Sequence, residues 1–213
     1  MRVAILGATG KLGEQLVLQA LGAGFEVSAL ARDPSKLRRA NENFTVYKGD
    51  AFTGEGLEVA LEGCDFVISA MGSPRPVMAR CIHNLMQKLE LSPPKRFVFV
   101  SWVGAGDSRA QAELDSGLLG LFRRLSRRRM FEDISQAESI IRVSHVPYVI
   151  LRPTRLTQGA PTHNVVSVDA REARPGPMSR ADLARFTLGL LGEAGWNRRE
   201  VTLGSSLQSP AHY

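Results

Sequence analysis

Three glycines near the start of the chain have the spacing of a turn that binds phosphate groups. Gly7, Gly10 and Gly13 follow the apolar run 1–6 and precede a stretch with helical spacing, 14–21. The first glycine would let the strand turn sharply, the second would let the backbone approach a pyrophosphate, and the third would let the helix pack on the strand. The helix would offer N–H groups and a partial positive charge at its start. These residues therefore predict a dinucleotide site.

The pattern is Gly-x-x-Gly-x-x-Gly, whereas many dehydrogenases have Gly-x-Gly-x-x-Gly. A tight strand-to-helix turn that binds nothing would use similar residues. The strand before the turn, the helix after it and a second strand at the expected distance favour the dinucleotide. The other residues of the turn that we assign to the cofactor are Thr9, Lys11 and Leu12.

The residue after the second predicted strand, 26–31, discriminates between two dinucleotides. Enzymes that use NAD usually place an acidic residue there, which binds the 2′-hydroxyl of the ribose. This chain has Arg32, whose guanidinium can bind the additional 2′-phosphate of NADP and stack on adenine. Lys11 would add a second positive charge, whereas the neighbouring Asp33 is an acid of the kind that favours NAD. We expect NADP(H) rather than NAD(H); the competing interpretation is that Arg32 is only a solvated surface residue.

Alternating strand-like and helix-like stretches predict how these residues are positioned. The apolar runs 45–48, 66–70, 96–101 and 148–152 are nearly continuous, as in strands that are covered on both faces. They predict an α/β fold: a single-domain, Rossmann-type, doubly wound parallel sheet with strand order 3-2-1-4-5-6. A seventh strand, 199–203, is expected at one edge. In such a sheet the ligand lies over the carboxyl ends of the strands.

Residues just after the strands are therefore predicted to complete the cofactor site. The carboxylate of Asp50 would accept from the adenine amino group, although a Gly-Asp pair is also an ordinary turn. Gly72 would let the nicotinamide-side ribose and phosphates approach, whereas Met71 would equally suit the core. The residues assigned to the cofactor from these strand ends are Asp50, Ala51, Ala70, Met71, Gly72, Ser73, Ser101, Pro153 and Thr154.

Two hydroxyl groups are candidates for catalysis. Ser101 closes the fifth predicted strand, where its hydroxyl would donate to a substrate oxygen; a serine that ends a strand is otherwise unremarkable. The Thr154 hydroxyl and nearby backbone N–H groups would meet the nicotinamide carboxamide. Both residues are therefore predicted to orient the nicotinamide and the substrate.

A proton donor of the Tyr-x-x-x-Lys type is absent from the chain. None of the three tyrosines, Tyr47, Tyr148 and Tyr213, has a lysine four residues later, and the predicted helix 131–143 contains neither residue type. Reduction of a ketone without such an acid is costly. Hydride transfer to a flavin, a quinone or a linear tetrapyrrole gives a delocalised anion that water can protonate, so it needs mainly proximity and orientation.

Taken in order, these motifs resemble the atypical short-chain dehydrogenase/reductase family that includes biliverdin-IXβ/flavin reductase and the NmrA-like regulators. The resemblance covers nearly the whole chain. It implies an NADPH-dependent reductase of flavins or related conjugated acceptors, or a protein that binds the dinucleotide and reports on redox state. One departure is Thr154, where the flavin/biliverdin reductase has a histidine. The resemblance rests on the segments 7–13, 30–33, 49–50, 71–73 and 151–153, on Ser101, and on the Ser-x-x-Asp helix start at Ser179.

Three functions remain open at this stage. The first is an NADPH-dependent oxidoreductase that transfers hydride to a flavin, quinone-like or other conjugated and anionic acceptor. The second is a non-catalytic NADP(H) sensor or scaffold that acts through a protein partner. The third, an epimerase or dehydratase of nucleotide sugars, usually needs the tyrosine that is missing here.

Two variable segments, 104–130 and 155–178, are predicted to lie over the substrate. The first contains an apolar run and then an arginine-rich run, 123–129, with Arg123, Arg124, Arg127, Arg128 and Arg129. This run would suit a lid that attracts an anionic group, a surface for a protein partner or an anionic membrane, or a solvated basic helix face.

The composition is that of one globular domain, with 213 residues, 44% of them hydrophobic, and a formal net charge of +6. No apolar run approaches the roughly 20 residues needed to cross a bilayer, and no secretion signal is evident, so we expect a cytoplasmic protein. The positive charge suits a phosphate-rich cofactor, and no nucleic-acid partner is expected. The two cysteines and four histidines lack metal-site spacing, so no metal is expected.

Overall fold

The computed structural model describes residues 1–37, 41–73, 75–102, 118–168 and 176–205, apart from the side chains of 118–127 and Val168. The expected variable segments therefore lie partly outside the described residues. Within the described part of the chain, no helix has the length and apolar character that would carry it across a membrane.

Ten strands are described, and eight of them form one sheet. The spatial order of the sheet is β3-β2-β1-β4-β5-β6-β10-β8, and all neighbours are parallel except β10 and β8. The other two strands form a separate parallel pair, β7 and β9. The strands are β1 Arg2–Leu6, β2 Glu26–Ala31, β3 Phe44–Lys48, β4 Phe66–Ser69, β5 Arg96–Val100, β6 Tyr148–Pro153, β7 Leu156–Thr157, β8 Val165–Val168, β9 Met178–Ser179 and β10 Arg199–Ser205.

Five helices lie on the two faces of this sheet, numbered here along the described chain. They are α1 Lys11–Gly22, α2 Leu57–Leu61, α3 Met78–Leu91, α4 Leu118–Val143 and α5 Arg180–Gly189. Successive residues of a strand point to opposite faces, and β1 accordingly contributes Val3 to the core beneath α1 and α5 and Ala4 to the core beneath α2, α3 and α4. The doubly wound parallel architecture expected from the sequence is confirmed.

Two expectations about the second half of the chain are wrong in detail. The predicted last strand is not at the edge of the sheet, because β8 pairs antiparallel with β10 outside it. Three of the four residues of β8 are β-branched valines, which favour a strand, but β8 lies within 155–178, the predicted variable segment over the substrate. The helix expected over 131–143 begins at Leu118, so the arginine-rich run 123–129 is helical.

A buried ionic network joins α4 to the carboxyl ends of β5 and β6. The Glu138 side chain is fully buried, and the Arg152 side chain is 6% exposed. Arg152 donates to both carboxylate oxygens of Glu138, from Nε at 3.0 Å and from Nη2 at 2.7 Å. Ser101 Oγ donates to Oε1 of Glu138 at 2.6 Å. One helix carboxylate therefore holds the ends of two strands.

The network extends to the next strand through a second acid. Glu200 of β10 accepts from Arg152 at 2.6 Å, and from Arg142 of α4 at 2.6 and 2.7 Å. Burial alone would lower the pKa of Arg152, but the hydrogen bonds and charges of Glu138 and Glu200 raise it above its ordinary value. Burial alone would raise the pKa of Glu200, but Arg142 and Arg152 lower it. The buried charges thus satisfy one another.

A second buried acid, Asp182, anchors the segment between β7 and β8. Ser179 caps α5, because its Oγ accepts from the Asp182 N–H at 3.0 Å and donates to the Asp182 carboxylate at 2.8 Å. The same carboxylate accepts the N–H groups of Thr162 at 2.8 Å and His163 at 3.0 Å, and the Thr162 hydroxyl at 2.9 Å. The capping expected from Ser-x-x-Asp is confirmed, and it also fixes part of a segment expected to face the substrate.

We expect Glu138→Ala to lower the free energy of unfolding by about 3–5 kcal/mol, because it leaves the buried Arg152 without its main counter-charge. Urea unfolding at neutral pH measures this loss. A matched control is Glu58→Ala, which breaks the Glu58–Lys88 pair, whose Glu58 side chain is 82% exposed; its unfolding midpoint should stay at the wild-type value.

The double variant Glu138→Leu, Arg152→Met tests whether the two charges are coupled. Replacing both side chains by apolar ones leaves neither charge buried without its counter-charge. The double variant should therefore lose less free energy of unfolding than the sum of the losses of Glu138→Leu alone and Arg152→Met alone. Strict additivity would contradict the coupling.

We expect the stability that Asp182 provides to disappear in acid. Burial alone would raise the pKa of Asp182, but the hydrogen bonds from Thr162, Ser179 and His163 lower it below its ordinary value of 3.8. Its contribution is therefore fully present above about pH 4, the value for the unfolded chain, and is lost as the pH falls through the lower folded value. Thermal midpoints of wild type and Asp182→Asn should differ at pH 7 and converge below pH 4. Curves that stay parallel over this range would exclude the linkage.

Candidate functional site

The carboxyl ends of the parallel strands bring the predicted cofactor residues to one edge of the sheet. Leu6 near the end of β1 pairs with Leu30 of β2 on one side and with Ser69 of β4 on the other. Ser69 in turn pairs with Phe99 of β5. The strand order reverses at β1 and β4, and this is where a doubly wound sheet leaves a crevice for a ligand.

The glycine turn has the close packing that its spacing predicts. Gly7 has φ of +85°, and a Cβ there would lie 2.6 Å from the carbonyl oxygen of Ala70, at the end of β4. A Cβ at Gly13 would lie 2.1 Å from the carbonyl oxygen of Gly7. Both positions therefore need glycine for the strand ends and the helix to meet. At Gly10 the only described atom within 4 Å of such a Cβ is the Gly7 oxygen, at 3.3 Å, so the turn leaves room for a ligand.

The start of α1 is available to an anion, whereas the start of α3 is not. Gly10 is the N-cap of α1, and no side chain caps that end. The first two amides of α3 are different: Met78 N–H and Ala79 N–H donate to the carboxylate of Asp133, at 2.6 and 3.1 Å. Asp133 comes from α4 and supplies the negative charge that favours a helix start. A phosphate group would therefore find unpaired donors at α1.

Side chains of the same turn are divided between solvent and core. Thr9 and Lys11 are exposed, and Leu12 is buried in the core, so Leu12 can contact a ligand chiefly through its backbone. Lys11 is the first residue of α1 and keeps its charge at the solvent side of the turn.

Arg32 and Asp33 have separate surroundings at the end of β2. Arg32 is exposed at the edge where the ligand would lie. The Asp33 carboxylate accepts from Ser35, from its N–H at 3.1 Å and its hydroxyl at 2.6 Å. Both bonds go to Oδ1 and lower the pKa of Asp33, so the acid that argued against NADP is held in a local turn. Among the described residues, Arg32 has no such local partner.

Asp50 lies in a hydrogen-bonded turn that follows β3. Its N–H donates to the carbonyl of Glu55 at 3.0 Å, and its Oδ1 accepts the N–H of Phe52 at 2.9 Å. Among the described residues, the Ala51 amide has no acceptor. The turn interpretation of Gly-Asp is thus correct, and the carboxylate keeps further lone pairs for a ligand.

Past β4, the chain is packed at Met71 and open at Gly72. Met71 is half-buried against the core beneath α2, α3 and α4, as its alternative interpretation as core filler predicts. No described atom lies within 4 Å of a Cβ built at Gly72. Ser73 Oγ accepts the N–H of Arg75 at 3.0 Å. Ala70 and Gly72 therefore provide the small, open surface expected here.

The two hydroxyls predicted to act in catalysis both donate within the protein. Ser101 is 8% exposed, and its single proton goes to Glu138. The Thr154 hydroxyl donates to the carbonyl of Gly176 at 2.7 Å, and its N–H donates to the carbonyl of Leu203 at 2.8 Å. Each hydroxyl oxygen retains lone pairs that can accept from a carboxamide N–H₂. Pro153 is buried as the last residue of β6.

No tyrosine in the described part of the chain is placed to act as the missing acid. Tyr47 accepts a hydrogen bond from Arg2. Arg2 is the first residue of β1 and lies at the opposite end of that strand from the glycine turn. Tyr148 begins β6, is 5% exposed and lies beneath the guanidinium of Arg198. Tyr213 lies outside the described residues. Within that same set, no cluster of three His, Cys, Asp or Glu side chains could hold a metal ion.

Several residues that shape the site carried no functional prediction. Glu138 could have been found, because it lies four residues after Ile134 and three before Ile141, and a charge on an apolar face signals a buried partner. Arg152 stands at the end of an otherwise apolar strand, which is the same signal. Asn84 has the same signal on α3, and Asp182 was expected only as part of a helix cap, whereas nothing local distinguishes Asp133. The predicted segment 104–117 and residues 169–175 lie outside the described residues, as do the side chains of 123–127.

Solved structures of several proteins share this architecture. ChuY, an anaerobillin reductase from Escherichia coli O157:H7, superposes with a TM-score of 0.84 at 23% identity, over 99% of this chain and all of its own. A candidate NADH-flavin reductase from Streptococcus pneumoniae gives 0.76 at 20% identity, over 97% of this chain and 100% of its own. A wide-type short-chain dehydrogenase/reductase from Veillonella parvula, in complex with NADP, gives 0.77 at 19%, over 100% and 96% of the two chains. At these identities the likeness establishes the fold.

Sequence comparison establishes the family. An uncharacterised chloroplast protein of Arabidopsis thaliana is 26% identical over 98% of this chain and 78% of its own length. The NAD(P)H-binding family matches residues 7–194, from the first glycine of the turn to beyond α5. The chain is therefore a member of the NAD(P)H-binding family of Rossmann-fold proteins.

Proposed function

We propose that the protein is an NADPH-dependent oxidoreductase that transfers hydride to a flavin, a quinone-like compound or another planar conjugated acceptor. Membership of an NAD(P)H-binding family supports the nucleotide. The single observation that carries the choice of NADPH is the pair Arg32 and Asp33. The arginine is exposed at the end of β2, and the acid is engaged by Ser35.

The residues at the sheet edge would divide the cofactor between them. The amides of the glycine turn and the start of α1 would bind the pyrophosphate. Arg32 and Lys11 would bind the 2′-phosphate, because a guanidinium matches its geometry and an ammonium adds a point charge. The open surface at Ala70 and Gly72 would receive the nicotinamide-side ribose. The bound nicotinamide would supply the hydride.

The kind of acceptor is inferred from the absence of a proton-donating side chain at the proposed site, among the residues that the structure describes. The helix α4 contains no Tyr or Lys, and the Ser101 proton is held by Glu138. Acceptors whose reduced form is a delocalised anion take their proton from water, so they do not need a protein acid. Ser101 and Thr154 would then orient the carboxamide and the acceptor rather than move a proton.

An exposed aromatic side chain supports a planar acceptor. Trp102 directly follows Ser101 and is 39% exposed, and its ring centroid lies 6.3 Å from that of Phe131 on α4. Indole rings contact planar conjugated rings favourably through offset stacking. A flavin or quinone bound next to Ser101 would therefore gain contact area that an aliphatic ketone would not.

A second candidate is a non-catalytic NADP(H) sensor or scaffold. The engagement of the Ser101 proton favours it, because a binding protein needs no donor at the nicotinamide. Its output would be a protein partner, and the helical run 123–129 is the candidate surface. A nucleotide-sugar epimerase or dehydratase ranks third, since that chemistry usually relies on the absent tyrosine.

We expect Arg32→Ala to weaken NADPH binding by about 1.5–3 kcal/mol, the value of hydrogen bonds to a charged group, and to weaken NADH binding far less. Isothermal calorimetry with both nucleotides measures the difference. Arg199→Ala is the matched control, because Arg199 is also exposed but begins β10 at the other end of the sheet. An equal loss for NADPH and NADH would remove Arg32 from the 2′-phosphate site.

We expect the protein to oxidise NADPH when FMN, FAD or a quinone is supplied, with little turnover of simple ketones, because only the conjugated acceptors dispense with a protein acid. Absorbance at 340 nm under anaerobic conditions follows the reaction. Tight NADPH binding with no turnover across the whole panel would favour the sensor instead.

A further inference from the structure

A buried amide side chain on α3 holds the turn that contains Asp50. Asn84 is 9% exposed and lies on a helix face that is otherwise apolar. Its Nδ2 donates to two successive carbonyl groups, of Ala51 at 3.1 Å and of Phe52 at 2.8 Å. Both carbonyls belong to the chain between β3 and α2, so Asn84 ties that turn to α3.

One peptide group connects Asn84 to the carboxylate of Asp50. The peptide between Ala51 and Phe52 is planar, so its C=O and N–H directions are fixed relative to one another. Its oxygen accepts from Asn84 at 3.1 Å, and its N–H donates to Oδ1 of Asp50 at 2.9 Å. Rotation of this peptide would break both bonds together. The orientation of the Asp50 carboxylate therefore depends on Asn84.

Asp50 and the next residue offer the hydrogen-bonding pattern that complements adenine. Adenine presents an amino group that donates and a ring nitrogen, N1, that accepts. The Asp50 carboxylate can accept from the amino group. Ala51 is 7% exposed, and its amide has no acceptor among the described residues, so it can donate to N1. A buried amide without a partner is costly unless a ligand supplies one.

The paired ends of β2 and β3 place this turn beside the residue expected to bind the 2′-phosphate. The N–H of Gly49 donates to the carbonyl of Ala31 at 3.1 Å. Arg32 and Asp50 directly follow the two residues of that hydrogen bond, so they come from neighbouring strand ends. In agreement, burial raises the pKa of Cys81 on α3 to about 11, the charge of Asp50 raises it as well, and the charge of Arg32 lowers it. An adenosine 2′-phosphate carries its adenine and its phosphate on one ribose, so two adjacent strand ends suit it.

We propose that Asn84 is a positioning residue for adenine recognition: by holding the 51–52 peptide, it aims the Asp50 carboxylate at the adenine edge, beside the Ala51 amide. This inference rests on the proposed function, since it requires a bound adenine dinucleotide. Asn84 itself touches no part of the cofactor. A residue that merely ties α3 to the turn would affect stability without affecting the choice between purines.

The test compares NADPH with its hypoxanthine analogue, in which a carbonyl oxygen replaces the amino group and N1 carries a proton. The carbonyl oxygen would face the Asp50 carboxylate, and the N1 proton would face the Ala51 N–H, so neither hydrogen bond could form. Wild-type protein should therefore bind NADPH at least about tenfold more tightly than the analogue. In Asn84→Leu, which removes the donor at similar volume, the preference should fall to about threefold or less. The preference for NADPH over NADH should stay at its wild-type value, because it depends on Arg32.

Further variants separate positioning from general damage. Asp50→Ala should lose the part of the purine preference that the carboxylate provides, and adding Asn84→Leu to it should cause no further loss of that preference. His83→Leu, at an exposed position on the same helix, should leave both preferences unchanged. If Asn84→Leu fails to fold or to bind NADPH measurably, Asn84→Ser, a smaller change, provides the same ratio.

Each result has one meaning. If wild-type protein binds neither nucleotide, the proposed function fails. If wild-type protein binds both purines equally, the adenine contacts and this inference fail, while the proposed function stands. If wild-type protein prefers adenine and the folded Asn84 variants keep that preference, Asn84 has only a structural role and the inference is overturned.

Discussion

The salt bridge between Glu138 and Arg152 is the interaction on which the packing of α4 against β5, β6 and β10 depends. Two charges removed from water would be unfavourable if either were alone, and here they satisfy each other through two hydrogen bonds at 3.0 and 2.7 Å. Because the acid comes from α4 and the base from β6, the pair fixes a helix against the sheet. Ser101 at the end of β5 and Glu200 on β10 join the same pair, so three strands share one set of charges. The residues that follow these strands inherit their positions from this buried network.

The same edge shows how acidic side chains decide where an anion can bind. Helix starts carry partial positive charge and unpaired N–H groups, and the protein neutralises two of them with its own acids. Asp133 occupies the start of α3, and Ser179 with Asp182 caps α5. The start of α1 follows the glycine-containing turn 7–10 and has no side-chain cap. The start of α1 thus stays open to an anion, as the proposed pyrophosphate site requires. Ser101 and Thr154 have their hydroxyl protons engaged within the protein, which agrees with the proposed role of orienting a reactant without protonating it.

Much of the architecture could be predicted because it depends on local pattern. Continuous apolar runs predict buried parallel strands, and the glycine turn marks the first crossover, so the order of the first six strands followed from general rules of handedness. The pairing of β8 with β10 could not be predicted in this way. Val-Val-Ser-Val is too short to distinguish a strand from a loop until a partner strand is present. The early start of α4 was missed for a related reason, since an arginine-rich run has no apolar periodicity to read.

For the site, the sequence alone determined the residue types at the strand ends: the glycines, Arg32, Asp50 and the absence of a Tyr-Lys pair. These follow from composition and order along the chain, and they sufficed to expect a dinucleotide and to question a protein acid. Only the tertiary structure decided which of these groups are already engaged. The Thr154 hydroxyl donates to the carbonyl of a residue 22 positions away, and the Ser101 proton goes to a residue 37 positions away. Hydrogen bonds between residues far apart in the chain depend on how helices dock on the sheet, and no local pattern encodes that docking.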